Sequence, residues 1–385
     1  MSLRAYIVGA FLLPCTAVVL QCRNMRTEKR QVFQSDGYRL LIDTLATGLN
    51  IVFGMDWLPD GTIIFSERKR TDSSIGILNP QNGKITRVCN APAVFSQGDG
   101  GMLDILLHPR FAENKWIYFS YTKIGDDSVS TLVVERAKLE SNCMSARQVL
   151  LEIKPRLKSS SHFGNRLLLK DSFLFITMGE RFIARDSAQS LSNHFGKILR
   201  IYEDGRVPPD NPFVSQPGAL PEIWSYGHRN PQGLAINPRT GELWESEHGP
   251  QGGDEVNILQ PGHNYGWPVI TYGEEYGGGK IGAGITEKEG MEQPVYKYVP
   301  SIAPCGMMFY TGDAFPKWKG SLFLGALALR HLNKLEVDNN KIVNEERLFS
   351  DQRWRVRVIK QGPDGFIYFA EDSGMILRLR SLHEN

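Results

Sequence analysis

The chain has 385 residues, of which 44 are Lys or Arg and 42 are Asp or Glu, so its formal net charge is +2. This balance gives no sign of the concentrated basic face that nucleic-acid-binding proteins usually show. The 38 glycines and 21 prolines lie between short apolar runs and not in low-complexity tracts. Such spacing is typical of the turns of a many-stranded β protein, and one large all-β domain can have this length.

The first 22 residues have the features of an export signal. Arg4 supplies a positive charge, and residues 5–20 are apolar with a single exception, as in the hydrophobic region of secretory signals. A membrane anchor is the alternative, but Pro14 interrupts the run, and a span needs roughly 20 apolar residues. Residues 1–22 are therefore predicted to direct the protein to the periplasm or out of the cell.

Five cysteines are scattered along the chain. Cys15 and Cys22 each follow apolar residues, which leaves open a bacterial lipid anchor as the one predicted contact with a membrane. The remaining three, Cys89, Cys143 and Cys305, are odd in number and lack the spacing of a disulfide framework. We interpret these three as buried apolar thiols.

One short unit recurs along the chain, and such a repeat is the strongest indication of the fold. Each copy is an apolar and aromatic run that ends in small or polar residues. The six copies occupy residues 62–67, 116–121, 173–180, 242–247, 321–326 and 366–371.

Six units, each long enough for about four short strands, predict an all-β fold. We expect a six-bladed β-propeller with four-stranded antiparallel blades, which forms a single domain over residues 38–381. A β-sandwich is the alternative, but it rarely needs six similar units. The stretch Tyr38–Ala46 is predicted to supply a strand that closes the ring.

In a propeller the innermost strand of each blade lines a central channel, so polar residues at the ends of these strands meet at one mouth. The repeated runs end in residues such as Glu67, Glu180 and Glu247, and His248 follows the last of these. We therefore assign the repeated runs to the innermost strands. Each residue alone is also compatible with a solvated strand end.

Two neighbouring segments carry groups that could bind a ligand or an ion. Arg229, Asn230 and Gln232 lie in a loop stiffened by Pro and Gly, and their donors suit a polyanionic or carbonyl-rich ligand. The Gly-rich segment 249–290 is too long for a hairpin turn. Its carboxylates Asp254 and Glu255, together with loop carbonyls, could hold calcium. The spacing is not that of an EF-hand.

Two further features could be catalytic or ligand-binding. His162 lies in a small polar turn before a strand, where a histidine can act as an exposed base near neutral pH or be purely structural. Arg353, Arg355 and Arg357 alternate, so they would project to one face of a strand. That face is either solvated or a carboxylate-binding cluster, since arginine binds carboxylates in bidentate fashion.

Taken together, these segments resemble the PQQ-dependent sugar dehydrogenases, the soluble glucose and aldose dehydrogenase family, and most closely its bacterial aldose sugar dehydrogenase branch. The resemblance runs from about Leu45 to Leu379 and rests on the shared order and spacing of its motifs. These are QGDGGMLD at 97–104, HP at 108–109, HFG at 162–164, EIWSYG at 222–227, RNPQG at 229–233, EHGP at 247–250, GDE at 253–255, NYGWP at 264–268 and GPDG at 362–365.

The resemblance implies that PQQ lies on top of the channel of a six-bladed propeller. It implies that His162 is the general base and that Arg229 and Asn230 lie by the reactive quinone carbonyl. It also implies that the backbone carbonyls of Gly249 and Pro250 ligate a catalytic calcium ion.

The same resemblance implies further binding residues. Glu255 and Tyr265 match positions that hold structural calcium in the glucose dehydrogenase branch, and Asp254 adds a carboxylate beside them. Arg355 and Arg357 match residues that bind the carboxylates of the cofactor. The remaining residues expected in the cofactor site are Asp99, Gln232, His248 and Arg330.

Three departures from the family pattern stand out. The usual glutamine of the first glycine motif is Asp99, and the aspartate that precedes the base in glucose dehydrogenase is Ser161. A cofactor-contacting lysine has no counterpart in residues 325–330, where Arg330 could substitute. We expect these changes to affect cofactor affinity and sugar preference more than the fold.

The predicted reaction is oxidation of an aldose at the anomeric carbon to the lactone. Hydride passes to PQQ, a histidine takes the proton, and calcium acts as a Lewis acid. The partners are a small sugar and an electron acceptor that the sequence does not identify. The alternatives are a calcium-dependent propeller hydrolase such as a lactonase, and a non-catalytic propeller that binds a glycan or a protein.

Overall fold

The computed structural model describes residues 31–69, 74–125 and 128–382, and the predicted export signal lies outside them. Helices are short: α1 spans Phe111–Asn114, and 3-10 helices span Arg185–Gln189 and Pro316–Trp318. Within the described residues, no helix is long and apolar enough to cross a membrane.

The strands form six antiparallel sheets that follow one another along the chain. Two strands precede the first complete blade, β1 (Val32–Ser35) and β2 (Tyr38–Ala46). Blade 1 contains β3 (Val52–Trp57), β4 (Ile63–Glu67), β5 (Ile75–Leu78) and β6 (Ile85–Arg87). Blade 2 contains β7 (Met102–Leu107), β8 (Trp116–Ile124), β9 (Ser130–Glu140) and β10 (Cys143–Glu152). Blade 3 contains β11 (Leu167–Lys170), β12 (Phe173–Met178), β13 (Lys197–Tyr202) and β14 (Ile223–Tyr226).

The second half of the chain repeats this arrangement. Blade 4 contains β15 (Pro231–Ile236), β16 (Leu243–Glu247), β17 (Asp254–Leu259) and β18 (Tyr296–Tyr298). Blade 5 contains β19 (Pro304–Phe309), β20 (Leu322–Ala326), β21 (His331–Asp338) and β22 (Lys341–Leu348). Blade 6 contains β23 (Val356–Gln361), β24 (Ile367–Glu371) and β25 (Met375–Ser381). These sheets confirm the predicted six-bladed β-propeller.

The ring is closed by the N-terminal strands. β2 pairs with β25, so that Leu40 lies opposite Ser381 and Ile42 lies opposite Leu379, and β1 adds a fifth strand to this sheet. The predicted closing role of Tyr38–Ala46 is therefore confirmed. Because the first and last parts of the chain share one sheet, β2 covers the edge that β25 would otherwise expose, and β1 becomes the outer strand.

The repeated runs are the second strands of the blades, so their assignment to the innermost strands is wrong. The innermost strands are β3, β7, β11, β15, β19 and β23, which contact one another around the ring. The second strands are hydrogen-bonded on both sides and mostly buried, and this burial explains their uniform apolar sequence. Five of the six innermost strands pair irregularly with the second strand, which hides any repeat.

The channel is crossed below one mouth by a buried guanidinium. Arg166 precedes β11 and donates to the carbonyls of Phe53, Gln232 and Arg357 on three other innermost strands. It also donates to Cys305 Sγ on β19. Its ion pair with Asp104 on β7 (3.5 Å) adds blade 2, so Arg166 joins all six blades and forms a floor under the mouth.

The interpretation of the cysteines is wrong for two of them. Cys89 and Cys143 form a disulfide with a Cα–Cα distance of 4.5 Å, and of these three cysteines only Cys305 is a buried thiol. Cys89 follows the last strand of blade 1, and Cys143 begins the last strand of blade 2. A backbone hydrogen bond from Cys89 to Asn142 (3.0 Å) holds the two segments together. This proximity arises from blade packing and has no signal in the sequence.

We expect loss of this disulfide to lower the free energy of unfolding by about 2–4 kcal/mol, because the bond restricts the unfolded chain. Urea unfolding of the Cys89→Ser/Cys143→Ser variant measures the effect. The wild type should lose stability when a reductant is added, and the double variant should not respond. Equal stability of the oxidised wild type and the double variant would contradict the prediction.

Candidate active site

A cavity of about 330 Å³ lies at one mouth of the channel, and residues from all six blades line it. The first strand of a blade runs antiparallel to the second, so the start of one and the end of the other meet at this mouth. The polar and charged lining residues are Arg68, Asp99, His162, Asn230, Gln232, His248, Arg355, Arg357 and Asp372. The apolar walls and backbone come from Ile51, Phe53, Phe163, Gly164, Ala303, Leu327 and Ala328.

His162 is oriented by a buried carboxylate. Its Nδ1 lies 2.9 Å from Oε1 of Glu180, which follows β12 and is 1% exposed at its side chain. The ring of Phe182 packs edge-on against the imidazole at 5.1 Å. Because the carboxylate accepts the Nδ1 proton, Nε2 is left as the unprotonated nitrogen of a neutral imidazole.

The backbone around His162 is tightly constrained. His162 has a φ of 48°, and its amide donates to Oδ2 of Asp99 across 3.2 Å. A Cβ at Gly179 would approach the carbonyl oxygen of His162 to 2.4 Å. Glycine is therefore required at position 179, since any side chain would displace the histidine from this position.

Arg355 and Arg357 face the cavity but share one carboxylate. Arg357 donates from Nε and Nη2 to the two oxygens of Asp372 at 2.6 and 2.7 Å, and Arg355 donates to the same group at 3.0 Å. Burial disfavours the charge of Asp372, but the bonds from the two arginines hold its pKa below the usual value. Arg353 does not join them, because it is exposed and lies in the turn before β23 with a φ of 54°, which ends the strand alternation.

Two cavity residues, Arg68 and Asp372, were missed by the sequence analysis. Each directly follows the terminal glutamate of a repeated run, as His248 follows Glu247. The position directly after the last glutamate of a repeated run could therefore have identified both as cavity residues. Arg68 has a side chain only 9% exposed, and its guanidinium lies 3.8 Å from Asp99.

The amide groups of the cavity are held in a network. Asn230 Oδ1 accepts from the amide of Gly164 at 3.0 Å and from Gln232 at 3.3 Å. His248 Nε2 lies 2.9 Å from the carbonyl of Pro304. Burial, with the neighbouring His162 and Arg229, lowers the pKa of His248 to about 3. His248 is therefore a neutral donor to that carbonyl.

Arg229 lies in an adjoining pocket of about 110 Å³, which Glu180, Trp267 and Tyr276 also line. Its guanidinium is 5.1 Å from the Trp267 ring, and it donates to the carbonyls of His248 and Gly249. It is thus next to the main cavity and not in its lining. Arg330 is exposed and lines neither space.

A cluster of buried carboxylates lies behind Arg229. Glu245 and Glu247 project from the same face of β16, and Glu255 on β17 lies opposite Glu247. Burial and the charge of Glu247 raise the pKa of Glu255 to about 8 and that of Glu245 well above its usual value. The ligand atoms of His228, Glu245 and Glu247 all lie within 4.8 Å of one another, close enough to share a metal ion.

The predicted loop ligands fit a cation unequally. The segment 249–290 is not one loop, since β17 occupies Asp254–Leu259. Asp254 already accepts from Ser301 Oγ and from the amides of Gly249 and Ala303, so it clamps the loop. The hydroxyl of Tyr265 is likewise engaged by backbone groups. Glu247 also accepts from the amides of Arg229 and Asn230 and contacts His228 Nδ1. It lies beside Glu255 and Glu245, however, and Oε2 of Glu245 has no partner within the described residues. These clustered carboxylates are the oxygens that suit a cation.

Residues 49–378 match the family described as glucose/sorbosone dehydrogenase. The aldose sugar dehydrogenase YliI of Escherichia coli is 38% identical over 350 residues, which cover 88% of this chain and 92% of that protein. The soluble aldose sugar dehydrogenase of Escherichia coli, solved in the apo-form, has a TM-score of 0.84 at 36% identity and covers 89% of this chain and 100% of that one. The PQQ-bound aldose sugar dehydrogenase of Streptomyces coelicolor has a TM-score of 0.73 at 25% identity, over 89% of this chain and 98% of that one.

The fold and these likenesses place the chain in the class of β-propeller sugar dehydrogenases, which are oxidoreductases. The chain belongs to the glucose/sorbosone dehydrogenase family. The resemblance seen in the sequence motifs is thereby confirmed.

Proposed function

We propose that this protein oxidises an aldose at the anomeric carbon to the lactone, with PQQ as the hydride acceptor. The observation that carries the proposal is one cavity that joins a carboxylate-oriented histidine to a set of arginines. PQQ is an anionic ortho-quinone with three carboxylates, and the PQQ-bound relative from Streptomyces coelicolor has the same fold.

His162 is proposed as the base. The reaction removes a proton from the anomeric hydroxyl and a hydride from the carbon that bears it. Nε2 of His162 accepts the proton, because Glu180 holds the other ring nitrogen protonated. The carboxylate also stabilises the imidazolium that forms. Glu180 thus acts as a positioning residue, in the same way as the acidic member of other histidine-base pairs.

The cofactor is proposed to bind through arginine and amide donors. Arg355 and Arg357 present guanidinium groups to the cavity, and Asn230 and Gln232 present amides. PQQ, when bound, supplies the two-electron acceptor. Arg229, from its adjoining pocket, is proposed to lie by the reactive carbonyl, as the family resemblance implies.

Calcium is proposed to bind beside Arg229, at the buried carboxylates Glu247 and Glu255. Three acidic groups in a water-poor site are unfavourable unless they hold protons or a cation. The carbonyl of Gly249 adjoins this cluster but now accepts from Arg229. A cation that uses this carbonyl therefore requires Arg229 to give up that bond, and a calcium ion would then add positive charge near the cavity.

We propose that the protein acts in the periplasm or outside the cell. The Cys89–Cys143 disulfide supports this location, because disulfides persist mainly in oxidising compartments. The export segment and a lipid anchor at Cys15 or Cys22 remain predictions from the sequence. The sugar and the electron acceptor are not identified.

The arginines argue against the alternative functions. A calcium-dependent lactonase or a non-catalytic glycan-binding propeller has no need for several guanidinium groups in the cavity of the histidine. Because the arginines and His162 line the same cavity, an anionic cofactor is favoured.

The proposal is tested by adding PQQ and calcium to purified apoprotein and measuring dye reduction with a panel of aldoses. Activity that requires both PQQ and a sugar is expected. Hydrolysis of sugar lactones without PQQ, in a protein that does not bind PQQ, would favour the lactonase instead.

A further inference from the structure

The charged groups of the main cavity are unequally satisfied. Asp372 accepts three hydrogen bonds from Arg355 and Arg357, and Arg355 also donates to the carbonyl of Leu327 at 2.6 Å. These two arginines therefore reach the cavity with much of their donor capacity already used. In contrast, Arg68 forms a long ion pair with Asp99, in which Nη1 and the carboxylate Oδ1 are 3.8 Å apart.

Arg68 is buried and has an unused donor. Its residue is 7% exposed, and its Nε has no hydrogen-bond partner within the described part of the chain. An unsatisfied buried donor costs free energy, and the cost is larger for a charged group. Burial and the nearby Arg357 lower the pKa of Arg68 to about 10, which leaves it protonated at neutral pH.

The backbone holds Arg68 at the cavity wall. Its amide donates to Ile51 at the start of blade 1 (2.8 Å). On the other side, a Cβ at Gly101 would lie 1.6 Å from the carbonyl oxygen of Arg68, and Gly101 has a φ of +135°. Only glycine permits this approach, so the loop that carries Asp99 packs directly on Arg68.

The cavity lining contains three guanidinium groups and two carboxylates. We propose that Arg68 binds a carboxylate of the cofactor and is a third cofactor-anchoring arginine beside Arg355 and Arg357. This inference rests on the proposed function. It also assigns a role to Asp99, which lies beside Arg68 with a half-exposed side chain and competes with the anionic ligand for its guanidinium.

The test is titration of apoprotein with PQQ in the presence of calcium, followed by calorimetry or by quenching of tryptophan fluorescence. Arg68→Gln should weaken PQQ binding by about 10- to 100-fold, the range for lost hydrogen bonds to charged groups. Arg68→Lys keeps the charge without the planar fork and should be intermediate. Arg206→Gln is the control, because Arg206 is a 75% exposed arginine that is not part of the cavity lining.

Asp99→Asn should tighten PQQ binding several-fold, because it frees Arg68 and keeps an oxygen that can accept from the His162 amide. This gain should vanish in the Arg68→Gln background, as a double-mutant cycle would reveal. The trimethyl ester of PQQ lacks the charged carboxylates, so its affinity should be nearly the same for the wild type and Arg68→Gln. Thermal melting of each variant shows whether it is folded.

The outcomes separate the two proposals. A wild type that does not bind PQQ would overturn the proposed function. A wild type that binds PQQ and a folded Arg68→Gln variant that binds it equally well would overturn only the role of Arg68. Equal weakening of PQQ and of its trimethyl ester would also overturn it, since Arg68 would then act on cavity shape and not on a carboxylate.

Discussion

His162→Ala is expected to lower kcat for aldose oxidation by about 10²- to 10⁴-fold, the usual contribution of a positioned general base. The imidazole is the group that Glu180 orients at the cavity wall, and alanine leaves no group there to take the proton. PQQ binding should change little, because the arginines and amides that we assign to the cofactor stay in place. Steady-state kinetics of the PQQ-loaded variant, with PQQ titrated separately, measures both effects.

His263→Ala is the matched control for this experiment. His263 also contacts a glutamate, with Nδ1 2.7 Å from Glu292, but its side chain is 47% exposed and lies away from the cavity lining. The control should retain wild-type turnover. If His162→Ala binds PQQ and oxidises sugars at the normal rate, His162 is not the base.

Removal of calcium by a chelator is expected to abolish PQQ-dependent activity and to lower Tm. A ligand that binds only the folded state stabilises it by about 2.7 kcal/mol at 100 times its Kd, so its loss corresponds to a decrease in Tm of about 3 °C for a protein of this size. Re-addition of calcium should restore both properties. Differential scanning calorimetry and dye-reduction assays on the same samples measure them.

Glu255→Gln tests where the ion binds. Glu255 lies opposite Glu247, and glutamine removes a buried acid whose ionised form Glu247 repels, while it can still accept from Asn257, as Glu255 does at 3.3 Å. The metal-free variant should therefore be at least as stable as the metal-free wild type, and calcium should no longer raise its Tm. Glu113→Gln is the control, because Glu113 is exposed on α1, and calcium should raise its Tm as much as that of the wild type. An unchanged calcium response in Glu255→Gln would place the ion elsewhere.

The propeller itself could be predicted because its second strands impose a repeat on the sequence. Segments such as Ile63–Glu67 and Leu243–Glu247 are buried along their whole length. Every position in them must then be apolar, aromatic or internally paired, and six such segments remain visible without any knowledge of the fold. The innermost strands are irregular, so the same reasoning assigned the repeat to the wrong strand.

The motifs also predicted several residues of the cavity lining. Asp99, His162, Asn230, Gln232, His248, Arg355 and Arg357 all line the cavity. Their assignment came from the order and spacing of the motifs, since no single one of them is informative. Arg330 was predicted to contact the cofactor from its position in residues 325–330 alone. Position in the sequence does not determine which way a side chain points.

What only the tertiary structure decided is which groups are paired and which are free. Arg166 donates to Phe53 and to Arg357, which are 113 and 191 residues away, and Cys89 meets Cys143 from another blade. Asp372 engages the two arginines that the motifs assign to the cofactor, whereas Nε of Arg68 has no partner among the described residues. Partners in a propeller come from different blades, and their contacts have no local period. Hydrogen-bond satisfaction at the mouth is therefore a property of the closed ring.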